Sequence, residues 1–446
     1  MDNLIRYLIC FLTGNDVPTS ITDRIRYTHN TDIPDGEKLI IIIPSDFFDK
    51  SIFLTDRSLP SLPLADFMDA PLLFGKPVIE RKNETVIIHA DIIASAFFLM
   101  SRYEEVVNRN IRDAHGRFPG RMSLPCRAGF MQRPIVDEYR LILRKILKDS
   151  GFDIKEQPQQ ISKTYLTHDI DSPFAVRTWR NVARYVIKEH ENLFDMIRLK
   201  MSNMDNDMFV RAQKWLYNQD NEFCKTFDNH EIITFIRSAG KAVEDKPYYF
   251  RYKKQIEYIV NQALNNNSII GLHSSYHAGI DMRSRLKDEK DALLGFFDNG
   301  INANFGINAK KEIIYHRSHY LSAREPEDME VLSDCDFVHD FTMGYADTAG
   351  FRLGTSHPVR YINPVSMKIS QPVLHPLTVM DSTLSSTDYM GLDEEEAEDY
   401  CTSMLKNVKK HNGEITLLWH NTSVADNASS YHKSLYPKLL NIIKTL

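Results

Sequence analysis

The sequence predicts an α/β fold, with a parallel sheet or barrel over residues 161–446 behind a smaller α/β unit over residues 1–160. Three observations carry this expectation. Short apolar runs recur from about residue 161, helix-length segments such as 253–264 and 394–410 lie between many of them, and several runs stop on a polar cluster. KTYL precedes THDID, SIIGL precedes HSSYH, EIIY precedes HRSHY, CDFV precedes HDF, and ITLLW precedes HN. In parallel α/β folds the reacting groups collect at the carboxyl ends of the strands, so these five clusters are expected to face one mouth.

The first unit is read in chain order. Leu39–Pro44 (LIIIIP) is a buried strand, followed by Pro- and Leu-rich turns. Residues 91–107 place apolar side chains at 92, 93, 96, 97, 100 and 103, a helical period, and 136–147 repeat the pattern. The loop between them, RDAHGRFPGRMSLP, holds arginines and His115 that suit either an anion or a set of local ion pairs. In the second unit, residues 176–230 are charged and mostly helical and interrupt the strand rhythm. They read as a helical insertion beside the mouth, a lid, a partner surface or a structural elaboration.

Composition narrows the function classes. The chain has 446 residues, 43% hydrophobic and 26% charged, within the range of globular proteins. Its net charge of −6 argues against nucleic acid as the main partner. Five scattered cysteines form no CxxC pair, which fits reduced thiols. The N-terminus lacks a basic lead and a small-residue cleavage site, and no run reaches the roughly 20 apolar residues of a membrane span. A cytoplasmic location is the expectation.

Two constellations point to chemistry. Asp169 and Asp171 lie two apart at a strand end and share a face. Two such carboxylates repel unless a cation sits by them or one holds a proton. Alternatively they flank a helix start, with Ser172 as N-cap and Pro173 in the first turn. His273 and His277, four apart, can share a helical face and both reach a metal. Two imidazoles and one carboxylate leave an open position on a zinc-type ion, as in catalytic sites.

The ordered set THDID, HSSYH, RSHY, VHDF and LLWH resembles the polysaccharide deacetylase family, carbohydrate esterase family 4. The first motif departs from the common Thr-Phe-Asp-Asp-Gly and matches an Asp-x-Asp variant. The resemblance implies a distorted (β/α) barrel with fewer than eight full strands. It implies a divalent metal, Zn²⁺ first with Co²⁺ or Ni²⁺ as alternatives, held by Asp171, His273 and His277. Asp169 is then the base, Arg317 its partner, and His420 the proton donor. Asp340 orients His420, with Asp381 in reserve. Tyr320, Trp419 and Tyr276 are candidates for stacking on sugar rings, and Arg352 in GFRLGT for approaching substrate. His168, His316, His319 and His375 are expected to be structural or supporting. Residues 1–160 resemble a companion domain found ahead of some bacterial deacetylases, with no assigned role.

The function expected from this resemblance is metal-dependent removal of acetyl groups from a carbohydrate or glycan precursor, N-acetyl first and O-acetyl second. The alternatives are hydrolysis of another amide on the same scaffold and a catalytically silent carbohydrate-binding protein.

Overall fold

The computed structural model describes residues 1–32, 36–297 and 313–446. Its N-terminal part builds a four-stranded sheet from β1 (Ile25–Tyr27), β2 (Ile40–Ile42), β5 (Gly75–Lys82) and β6 (Thr85–Ala90), in the order β1-β2-β6-β5. The first three in that order are parallel, and β5 returns antiparallel. A two-stranded ribbon, β3 (Ala65–Phe67) and β4 (Ala70–Leu72), lies beside it. Helices α1 (Asp2–Thr13), α2 (Ile92–Met100) and α3 (Ile135–Asp149) bury their apolar faces with this sheet. The helix expected over 91–107 is broken. Asp91 caps its start by accepting the Ala94 N–H, and the chain turns at Arg102, where φ is 59°. That left-handed residue sends its guanidinium to Glu105 and to the Ala323 carbonyl of the second unit.

The C-terminal part holds a nine-stranded sheet. Its strands are β7 (Lys163–Ile170), β8 (His230–Ile236), β9 (Ile269–Ser274), β10 (Tyr315–Ser318), β11 (His339–Met343), β12 (Val359–Ile362), β13 (Ile369–Pro376), β14 (Val379–Met380) and β15 (Glu414–Leu418). The order is β12-β13-β11-β10-β9-β8-β7-β15-β14, and every pair is parallel except β12 with β13. The sheet curls. β13 runs through Leu377 and Thr378 into β14, which pairs with β15 from the other end of the order. Inside the curl, His375 on β13 meets Glu414 on β15 at 2.6 Å, and Tyr165, Ile233, Phe235 and Phe341 form a compact apolar filling.

Helices cover the outer face, as parallel strands require for their crossovers. Between β7 and β8 the chain makes α4 (Trp179–Lys188), α5 (Leu193–Met201) and α6 (Met208–Cys224), within the stretch read as an insertion. Then follow α7 (Lys253–Asn265), α8 (Leu286–Phe297), α9 (Glu394–Lys410) and α10 (His432–Thr445). Two strands start later than their apolar runs. β10 begins at Tyr315 and β11 at His339, so HRS and HDF lie within the ladder rather than beyond it.

The two units share one apolar core and several buried polar joints. Glu105 lies between Arg102 and Arg352, with Arg352 forked onto both carboxylate oxygens at 2.9 and 2.8 Å. Asp137 on α3 accepts from the N–H and hydroxyl of Ser356.

Candidate active site

The carboxyl ends of β7, β9, β10 and β15 open on a cleft of about 290 Å³. Thr167, Asp169 and Asp171 alternate along β7 and its exit, so both acids face inward while His168 points out to Asp220 on α6. Asp169 is buried, and its Oδ1 accepts from Arg317 Nη1 at 2.9 Å. The same nitrogen donates to Thr167 Oγ1, and Nε donates to the Phe341 carbonyl, so the guanidinium is held from two strands, β7 and β11. Its plane lies against the Phe235 ring, 4.4 Å from the centroid.

Asp171, His273 and His319 converge, with one ligand atom from each lying within 4.8 Å of the others. Asp171 Oδ1 is 3.3 Å from the Nε2 of both imidazoles. The other ring nitrogens are tied outward: His273 Nδ1 donates to the Arg317 carbonyl, and His319 Nδ1 donates to Asp245 Oδ1, each at 3.0 Å. Those bonds fix the tautomer that leaves the Nε2 lone pairs facing Asp171. Asp171 Oδ1 is buried without a well-formed hydrogen bond. Burial would raise the Asp171 carboxyl, but His319 and His273, when protonated at Nε2, hold it well below the usual carboxylate range. An ionised oxygen lacking a donor and two lone pairs aimed at it fit a divalent cation, so Asp171, His273 and His319 would hold the metal.

His420 follows β15 on the opposite side of the cleft, its Nε2 3.6 Å from Asp171 Oδ2. Asp381 clamps it twice, accepting Nδ1–H at 2.7 Å and the backbone N–H at 2.8 Å. Burial works against the imidazolium, but Asp381, Asp171 and Asp169 outweigh it and push His420 up to about 10. Asp381 moves the other way: His420 overcomes burial and brings its carboxyl down to about 2.

Several expected residues lie elsewhere. His277 is exposed in the turn after β9; the chain leaves the ladder at Ser274, so the helical spacing that would have paired it with His273 does not exist. His319, expected only to support the site, takes that place. Asp340 does not reach His420. In register, Asp340 pairs with His316 and His316 with Leu272, on the outer sheet face, where Asp340 binds His316 Nδ1 at 2.7 Å. Asp381, the reserve, orients His420 instead. Trp419 is fully buried against Tyr436 and His432 of α10 and presents no face to the cleft. Arg352 is spent on Glu105. Tyr276 stands behind the cleft, its hydroxyl on His115 Nδ1 and its ring edge-on to Tyr320. Tyr320 does line the cleft, held at a left-handed φ of 61°.

Three lining or supporting groups were not foreseen. Asp245 has no motif around it. Glu244 lines the cleft from the same loop. Arg117, from the N-terminal unit, also lines it and donates to the Tyr320 carbonyl and the Tyr389 hydroxyl. The signal for His319 was present: it stands two residues after Arg317, the spacing that returns a strand to the same face.

Residues 6–151 match DUF7033, a family of unknown function. Among curated proteins, none matches this chain. Among solved structures, a protein from Mycobacterium smegmatis assigned as a polysaccharide deacetylase is similar at a TM-score of 0.39 and 10% identity, covering 66% of this chain and 87% of that one.

Proposed function

We propose that this protein is a metal-dependent hydrolase that removes acetyl groups from a carbohydrate or glycan precursor, N-acetyl first and O-acetyl second. One observation carries the reading. A candidate metal-ligand set of Asp171, His273 and His319 lies in one cleft between an Arg-held carboxylate and an Asp-held imidazole. When bound, a divalent ion supplies Lewis acidity, polarising a carbonyl and acidifying water.

The chain supplies the rest. Asp169, fixed by Arg317, accepts a proton from the attacking water as its oxygen bonds to the acetyl carbon. His420, fixed by Asp381, gives its Nε2 proton to the departing nitrogen or oxygen as the bond to the acetyl carbon breaks. Acetate and a free amine or alcohol remain. Tyr320 and Tyr389 offer aromatic faces beside the reacting groups, and Glu244 and Ser382 offer polar atoms for sugar hydroxyls.

The test is acetate release from N- and O-acetylated glycans by the zinc-loaded protein, with bound metal measured in parallel. His420→Ala and Asp169→Asn are expected to keep the metal and lose turnover. Acetate release that survives both substitutions would overturn the assignment.

A further inference from the structure

The insertion between β7 and β8 has a surface that the catalytic reading leaves unused. Helices α4 and α5 form an antiparallel hairpin, with Lys200 near the end of α5 lying 4.3 Å over the Trp179 ring at the start of α4. Val182, Tyr185 and Met196 turn inward and pack with Ala175, Val176 and Met208. The outer side is not wholly polar. Trp179 is 61% exposed, Ile187 72%, Phe194 79% and Met201 71%. Large apolar side chains so exposed within one short hairpin form a patch that calls for a partner.

The pattern along α4 says which kind. Trp179, Ala183 and Ile187 recur every four residues and make one exposed line. Arg180, Arg184 and Lys188 recur at the same interval and make the adjoining exposed line. An exposed apolar row beside a basic row suits a membrane interface, where apolar side chains meet the acyl boundary and cations meet the headgroup phosphates. Residues 177–201 hold six Lys and Arg against three Asp and Glu, in a chain whose net charge is −6.

The basic row continues into a cleft. A hollow of about 410 Å³ at the foot of α4 is lined by Arg180, Arg184, Lys246 and Arg251 with aromatic rings between them, and no acidic residue lines it. Among the described residues, Arg180 and Lys246 have no side-chain hydrogen-bond or ion-pair partner, and Arg251 meets only the Tyr248 and Phe250 rings. Arg184 is paired only at the surface, with Glu189 at 3.7 Å, and lies over the Tyr185 ring. Such cations are complementary to lipid phosphates. The hollow adjoins the candidate metal cluster, since Ser172 in its wall follows Asp171 and Lys246 follows Asp245.

We propose that the α4–α5 hairpin docks this protein on an anionic phospholipid surface, with the apolar row at the acyl boundary and the cations of row and hollow on the phosphates. The deacetylase reading is not needed for this.

The experiment is co-sedimentation of the full chain with vesicles of phosphatidylcholine alone and of phosphatidylcholine mixed with phosphatidylglycerol. The wild type is expected to bind the mixed vesicles at least about tenfold more tightly, and to release as salt rises. Arg180→Ala with Arg184→Ala is expected to weaken binding about thirtyfold, from about 1 kcal/mol per cation. Trp179→Ser with Phe194→Ser is expected to weaken it about tenfold or more. Val338→Ser, exposed on another face, is the control and changes nothing. These side chains are exposed, so melting temperatures should match the wild type, and the wild-type comparison needs no variant. Equal sedimentation with both vesicle types, or no loss in either double variant, would overturn the proposal. Binding of inorganic pyrophosphate without vesicle binding would also overturn it, assigning the hollow to a soluble anion.

Discussion

Replacing Glu105 with Gln tests whether the N-terminal unit is built into the C-terminal one. Glu105 is 2% exposed, between Arg102 at 4% and Arg352 at 5%. Burial alone would raise its carboxyl, but the two guanidinium groups bring it from the ordinary 4.5 down to about 2. That difference corresponds to about 3 kcal/mol of stabilisation. Removing one member of a buried ion pair and stranding its partners costs about 3–5 kcal/mol, the same size. Glu105→Gln keeps the shape and removes the charge, so the loss at neutral pH is expected to be about 3 kcal/mol, read from urea unfolding. The sign with pH follows from a folded value below the unfolded one. The stabilisation is complete above about pH 4.5 and disappears as pH falls towards about 2. The gap between wild type and variant therefore narrows over that window. A variant within about 1 kcal/mol of the wild type at pH 7, or a gap that does not change in acid, would refute the reasoning.

Four further outcomes are expected. His319→Ala should abolish stoichiometric zinc binding while His277→Ala retains it, by elemental analysis of folded protein. Asp245→Asn keeps an acceptor for His319 Nδ1–H but removes its charge, and should weaken zinc about 10- to 100-fold in a chelator competition. His420→Ala should lower kcat for acetate release about 10²- to 10⁴-fold at unchanged metal content. Deleting residues 1–150 should give insoluble protein rather than a free C-terminal unit, because it uncovers Arg352 and the core around Leu353.

The inward pair Asp169 and Asp171, the strand carrying His273 and the strand end carrying His420 were legible in the sequence. A strand repeats every two residues, and an apolar run that stops on polar residues marks the exit of a buried strand. The helix Glu394–Lys410 was legible as a helix-length segment between apolar runs, and in the structure Asp393 and Glu396 form a capping box at its start. What failed were inferences that turned on the exact end or register of a ladder. The spacing of His273 and His277 suited a helical turn, but β9 ends at Ser274 and the turn carries His277 into solvent. Asp340 had a plausible place in motif order, but β11 starts at His339 and its register puts Asp340 on the outer face beside His316.

Local sequence thus determined the apolar runs that become the site-bearing strands β7, β9, β10, β11 and β15 and which of their residues share a face, since both follow from short-range geometry. Tertiary structure alone decided which faces look into the cleft, that His319 rather than His277 meets Asp171, and that Asp381 holds His420. It also decided that Arg117 of a separate unit walls the site. Those pairings join residues tens to hundreds of positions apart. They depend on strand order and register, which are set by burial of the whole sheet and not by any local motif.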